Sequence, residues 1–262
     1  MSRTQFVILA HGGAGSNPDH ADGTQRACDR GLELLEAGQP VLASVCQAVV
    51  VLENDPRFNA GVGSRRRSDG SVQMDAACMD SDGRFGAVAV IEGFKNPILI
   101  AQAVSRMENH LLAGSGAARF AEAGGFETWN PAAAKSSGGC DTVGCVAFDG
   151  ERFAASLSTG GTGGARPGRV GDVPLIGCGL YAGAHGAVAA TGNGEAITVS
   201  LTAFRAHELL AQGISPESVV ATVISWFKDS EDIGLLVVSR NGHAIGSNRP
   251  MASSLRLGAN RS

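Results

Sequence analysis

The residues best suited to chemistry lie in the second half of the chain. Cys140-Asp141-Thr142-Val143-Gly144-Cys145-Val146-Ala147 starts a strongly apolar strand directly at a threonine. Three related clusters follow: Ser158-Thr159-Gly160-Gly161, Pro167-Gly168-Arg169-Val170-Gly171-Asp172 and Ala190-Thr191-Gly192-Asn193-Gly194-Glu195. Any one of them reads as an ordinary turn. Together they repeat one theme, glycine beside Thr, Arg or Asp near the ends of expected strands, and that theme implies a polar site at a sheet edge. Other chemistries fit less well. The six histidines (His11, His20, His110, His185, His207, His243) include no i, i+4 pair of the helical metal-site kind. The six cysteines (Cys28, Cys46, Cys78, Cys140, Cys145, Cys178) form no Cys-x-x-Cys and are expected to be buried thiols. Gly114-Ser115-Gly116 starts a dinucleotide fingerprint but Arg119 stands where the third glycine belongs. Neither a phosphate loop nor a Gly-x-Ser-x-Gly elbow occurs. Arg65-Arg66-Arg67 could hold an acidic ligand, although a solvated loop is the simpler expectation.

The elements that must position these clusters follow from the apolar pattern. Residues 5–10 read as a buried strand running into His11-Gly12-Gly13-Ala14-Gly15-Ser16, where His11 is expected to serve the turn. A helix with Ala27, Gly31, Leu34 and Leu35 on one face follows. A second starts near Pro40 with Val41, Val45, Ala48, Val49 and Leu52 at helical spacing. Alternation places Val72, Met74, Ala76 and Cys78 on one strand face, and residues 84–91 complete a hairpin across Ser81-Asp82-Gly83. Helices at 97–107 and 116–123 flank a short strand at 109–112. Residues 127–140 lose periodicity and read as an exposed linker. Strands at 142–148 and 152–157, helices near 200–212 and 216–228, and strands at 233–239 and 242–248 complete the order. Antiparallel strand pairs separated by helix pairs imply helical layers on both sides of the sheets.

Composition bounds the rest. The chain has 262 residues, 44 % hydrophobic and 18 % charged, which excludes a disordered chain. Its net charge of −4 argues against nucleic acid as the main partner. No apolar run approaches the ~20 residues of a membrane helix. Met1-Ser2-Arg3-Thr4-Gln5 is too polar to lead a signal peptide, so the cytoplasm is the expected compartment. Glycine supplies 37 residues without collagen-like period, so turns and close backbone approaches are expected.

These segments resemble the Thr-dependent N-terminal nucleophile hydrolases of the plant-type asparaginase and isoaspartyl peptidase family. The resemblance rests on His11-Gly-Gly-Ala-Gly-Ser16, Pro56-Arg-Phe-Asn59-Ala-Gly61-Val-Gly63, Met74-Asp75-Ala76 and the four clusters above, and runs from about residue 6 to 248. It implies an α+β, four-layer αββα sandwich forming a single domain. It further implies self-cleavage of the Asp141–Thr142 bond into pieces 1–141, with the linker at about 127–141 as its tail, and 142–262. A Thr hydroxyl needs a base, and the α-amine freed by cleavage, with a reference pKa of ~8, can be that base. By the same resemblance Thr142 is the nucleophile, Thr159 hydrogen-bonds near it, and Asn59 supports it across the cut. Thr191 and the Gly192 N–H form the oxyanion hole. Arg169 and Asp172 grip an α-carboxylate and an α-ammonium, and Gly194 offers a backbone contact to the amine. Backbone carbonyls of Leu52, Glu53, Asp55, Phe58, Ala60 and Val62 correspond to a sodium-binding loop, and no other cofactor is implied.

The implied activity is hydrolysis of β-aspartyl dipeptides or L-asparagine, small-molecule substrates, by a dimer of processed heterodimers. Glycosylasparagine hydrolysis is an alternative, although Cys140 stands where those relatives carry His. An unprocessed, non-catalytic binding homologue is another. The segment before Thr142 is shorter than usual in the family, and Thr162-Gly163-Gly164-Ala165 replaces the usual bulkier residues, so a different pocket rim is expected.

Overall fold

The computed structural model describes residues 5–131 and 142–259. It is a mixed α+β structure with two sheets. The buried run at the N-terminus forms β1 (Gln5–His11). Helices α1 (Ala21–Glu36) and α2 (Val41–Glu53) follow, the latter starting after Pro40 and burying Val45, Cys46, Ala48, Val49 and Leu52. The hairpin β2 (Met74–Asp80) and β3 (Phe85–Ile91) comes next, then α3 (Pro97–Val104), β4 (Leu111–Ala113) and α4 (Gly114–Ala123). After the gap in the described chain come the hairpins β5 (Val143–Phe148)–β6 (Phe153–Thr159) and β7 (Leu180–Gly183)–β8 (Gly186–Gly192). Helices α5 (Gly194–Val199), α6 (Thr202–Ala211) and α7 (Pro216–Ile224) precede β9 (Ile233–Ser239), β10 (Gly242–Ser247) and β11 (Ser253–Ala259).

The larger sheet has the order β11-β1-β5-β6-β2-β3-β4, the smaller β10-β9-β8-β7. Among the described strands β3 and β4 pair in parallel and the other sheet neighbours are antiparallel. Because strand side chains alternate, each central strand serves two cores. Ile8 and Ala10 of β1 pack under α1 and share one core with α2 and with Met74, Ala76 and Cys78 of β2, which lies beyond β5 and β6 in the sheet. Val7, Leu9, Ala77 and Met79 point the other way and meet Leu180, Ala189, Leu236 and Val238 of the smaller sheet. Leu235 and Val237 of β9 then pack against Ala203 and Leu210 of α6 and Val219 and Val223 of α7. The alternating face expected at Val72–Cys78 is therefore real, but its opposite face is buried as well.

Four elements escape the sequence pattern: β7, β8, α5 and β11. The opening of the expected linker is held: Thr128 bridges Phe94, the Trp129 N–H reaches the Gly93 carbonyl at 2.8 Å, and the Trp129 ring packs against the first core. The rest of that segment, 132–141, lies outside the described residues, and with it Cys140 and the Asp141 side of the expected cut. Among the described residues no helix is long and apolar enough to cross a membrane.

Candidate active site

Three strand ends build the site. In the β5–β6 register Val143 faces Ser158, so the residue before it, Thr142, falls opposite Thr159 at the end of β6. Thr191 and Gly192 end β8 in the facing sheet. Thr142, Thr159, Gly161, Thr162, Arg169, Gly171, Asp172, Gly192 and Gly194 line one small cleft. Thr142 is buried, and the hydroxyl of Thr159 is fixed by the Gly161 N–H at 2.9 Å. Gly192 adopts φ +137 where a Cβ would strike the Asp232 carbonyl, so only glycine fits there. The Thr191 Oγ1 accepts from the Ala14 N–H at 3.3 Å, which directs the hydroxyl hydrogen elsewhere.

The charged groups stand on the loop that precedes β7. A Cβ on Gly194 would lie 2.7 Å from Arg169 Nη2 and 2.9 Å from Asp172 Oδ1, so the two charges flank that glycine. Arg169 does not pair with Asp172. It donates from Nε (2.9 Å) and Nη2 (2.8 Å) to the carboxylate of Glu195, a bidentate pair that sequence reading assigned no role. Asp172 is left buried, and its Oδ2 has no hydrogen-bond partner among the described residues. Burial pushes its carboxyl up to about 7, only partly countered by the Arg169 charge.

Asn59 ties the halves of the chain together. Its Nδ2 donates to the Gly161 carbonyl (2.8 Å), its Oδ1 accepts from the Arg65 N–H (3.0 Å), and its own carbonyl accepts from the Gly160 N–H (3.0 Å). Asp75, quoted above only within a motif, faces Thr159 across β2–β6 and is buried, with Oδ1 on the Val90 N–H at 2.7 Å. Burial raises its carboxyl also. The Arg triplet is not a solvated loop throughout, because Arg67 is 3 % exposed.

His11 lies against the backbone of Thr142. Gly144, its partner in the β1–β5 register, lacks the Cβ that would stand 2.5 Å from His11 Nε2. Burial pulls the imidazole down to about 3, against a weaker opposing pull from the Thr142 backbone. At neutral pH so weak a base cannot take the Thr142 proton efficiently.

The candidate cation loop runs from the end of α2 into the 3₁₀ turn Gly61–Gly63. The carbonyls of Leu52, Asp55, Phe58 and Ala60 accept N–H groups of the same coil, while those of Glu53 and Phe58 abut Gly61 and Gly63. The Asp55 carboxylate is engaged by Arg57 and Arg26 instead. Each carbonyl keeps a second lone pair, so this neutral oxygen set, with Val62, fits a hard monovalent cation in kind.

Such a site, hydroxyls and oppositely charged groups gathered at strand ends between two facing sheets, defines a class that comparison with known proteins makes specific. A family model described as asparaginase matches residues 4–138 and 130–256. The plant-type L-asparaginase of Pyrococcus furiosus is 36 % identical over 281 residues, covering 90 % of this chain and 91 % of that protein. The isoaspartyl peptidase/L-asparaginases of Xenopus laevis and Mus musculus are 36 % and 35 % identical, covering 90 % of this chain and 86 % and 83 % of theirs. The chain belongs to the asparaginase family.

Proposed function

We propose that the protein is an N-terminal nucleophile amidohydrolase that cleaves β-aspartyl dipeptides and L-asparagine. The observation that carries this reading is the convergence of Thr142, Gly192, Arg169 and an unpaired, buried Asp172 carboxylate on one cleft. On this reading the two facing sheets and their flanking helices are the four-layer αββα sandwich of that class. Scission before Thr142 frees its α-amine. That amine takes the proton of Thr142 Oγ as the oxygen attacks the side-chain carbonyl of the substrate. The oxyanion is held by the Gly192 N–H and the Thr191 hydroxyl, whose acceptor side is already occupied by Ala14. Ammonia or an amino acid leaves with the proton, and water then hydrolyses the acyl-enzyme. Arg169 receives the α-carboxylate, sharing its fork with Glu195, and Asp172 receives the α-ammonium.

The cut would not separate the pieces. The larger sheet alternates between them, with β1 between β11 and β5 and β2 beside β6. The carbonyls of Leu52, Glu53, Asp55, Phe58, Ala60 and Val62 would hold a sodium ion, whose part is to brace the coil carrying Asn59. Exposed Ile176, Val199, Leu201 and Phe204 support pairing of copies as a homo-oligomer.

Mass analysis of folded protein tests the reading first: pieces of 141 and 121 residues are expected, still co-purifying. A panel of β-aspartyl dipeptides, L-asparagine and glycosylasparagine then fixes the substrate. A chain that stays intact and inert after long incubation refutes it in favour of a binding homologue.

A further inference from the structure

Two guanidiniums stand by the cleft, and they differ in what occupies them. Arg169 is engaged bidentately by Glu195. Arg67 donates from Nη2 to the Gln73 carbonyl at 3.1 Å, while its Nε and Nη1 have no partner among the described residues. Its guanidinium lies directly behind Gly161: a Cβ there would stand 2.6 Å from Nη1 and 2.9 Å from Nη2. Gly161 lines the cleft with φ +72, so at this point the wall is one backbone thick. The charge of Asp75 attracts both Arg67 and Arg169, and the two guanidiniums repel each other. Exposed Asp69 and Glu92 act on Arg67 more weakly. Glu195 answers the charge of Arg169, and Asp172 lies beside Arg169 across Gly194, whereas Arg67 has no ion-pair partner among the described residues and shares only the buried Asp75 with Arg169.

A carboxylate entering a closed cleft loses hydration that only fixed charges and donors replace. Arg169, already shared with Glu195, replaces part of it. A second charge close behind a glycine acts through low dielectric, where its field is weakly screened. We propose that Arg67 is a specificity-determining residue. Its guanidinium, set behind Gly161, selects substrates with a free α-carboxylate over those in which that group is amidated. The inference rests on the reading of Arg169 and Asp172 as the head-group grip.

The test compares affinities of processed wild-type protein for L-aspartate and its α-carboxamide, measured by calorimetry. Wild type should prefer L-aspartate. In Arg67→Met that preference should fall about tenfold, the lower end of a charge-assisted contact because Arg67 acts from behind Gly161, whereas Arg67→Lys should keep most of it. With a β-aspartyl anilide, Arg67→Met should raise KM and leave kcat near wild type. Equal weakening of both ligands, or identical behaviour of the Met and Lys variants, would mean that Arg67 only braces Gln73, and would overturn the proposal. Should Arg67→Met fail to fold, Arg169→Ala decides: a residual preference for L-aspartate supports Arg67, and a ratio of one overturns it. A wild-type protein that binds neither ligand refutes the proposed function itself, a result distinct from equal weakening in a variant.

Discussion

Replacing Asp172 by Asn should make the protein more stable and less active, with opposite pH signatures. The carboxyl goes from 3.8 unfolded to about 7 folded because burial disfavours its charge. Between those values the unfolded chain has released its proton while the folded chain retains it. Stability therefore falls as pH rises through this window, and the loss is complete above about 7. About three pKa units at 1.36 kcal/mol each amount to roughly 4 kcal/mol. Asn has no proton to lose, although its amide also lacks partners, so part of that energy should return. We expect Asp172→Asn to melt several degrees higher than wild type at pH 8 and at the same temperature near pH 4. Ligand binding should show the reverse. The ionised carboxylate is what pairs with an ammonium, so wild-type affinity for L-aspartate should drop below about pH 7, and the variant should lack that limb. Losing the charge-assisted contact costs ~1.5–3 kcal/mol, roughly 10- to 150-fold in kcat/KM. Calorimetric melting at the two pH values and a pH series of L-aspartate titrations check both halves. A variant no more stable than wild type at pH 8, with unchanged affinity, would refute the assignment of Asp172 as a buried, unpaired anion.

Thr142→Ala should abolish self-cleavage and hydrolysis together, while Thr142→Ser keeps some of each; an Ala variant that cuts at the wild-type rate, seen on a time-resolved gel, places the nucleophile elsewhere. Arg169→Ala should lower kcat/KM by roughly 10- to 150-fold yet still be processed, because self-cleavage presents no free α-carboxylate. Unchanged kcat/KM in the folded, processed variant contradicts its role. Activity should survive EDTA, since the proposed steps use no divalent ion, and loss restored by zinc or magnesium would count against them.

What the sequence makes legible follows from where the information is local. The strands β1, β2, β3, β5, β6 and β9 are largely apolar runs closed by turns, β10 follows β9 across a tight turn, and α2 has helical spacing and a proline start. By contrast β8, Gly-Ala-Val-Ala-Ala-Thr-Gly, carries one β-branched residue before Thr191. It becomes a strand because it is covered by the larger sheet on one face and by α6 on the other, a tertiary effect. Strand β11 is half-exposed and exists by pairing Gln5 with Ala259 across the whole chain. The site divides in the same way. Thr142, Thr159, Arg169, Asp172 and Gly192 stand out because their clusters set glycine beside a Thr, Arg or Asp side chain. The Arg169–Glu195 pair spans two clusters, and Arg67 meets Gly161 across a separation no motif encodes.

In folded proteins over 90 % of buried polar groups find partners. Among the described residues Asp172 Oδ2, Arg67 Nε and Nη1 and Asp75 Oδ2 lack them at the cleft or just behind it, as do both ring nitrogens of His11. Each exposes the fold to a penalty of ~1–3 kcal/mol, more for a charge. Three apolar cores stacked through the sheets can offset that, and they also hold the orphan groups in place. A cleft meant for a neutral amide would need neutral donors and acceptors. One that sets the Asp172 carboxyl near the guanidiniums of Arg67 and Arg169 suits instead, on the proposed function, a ligand carrying both charges. On the proposed function, the head group rather than the amide would then set where the β-amide bond lies before Thr142.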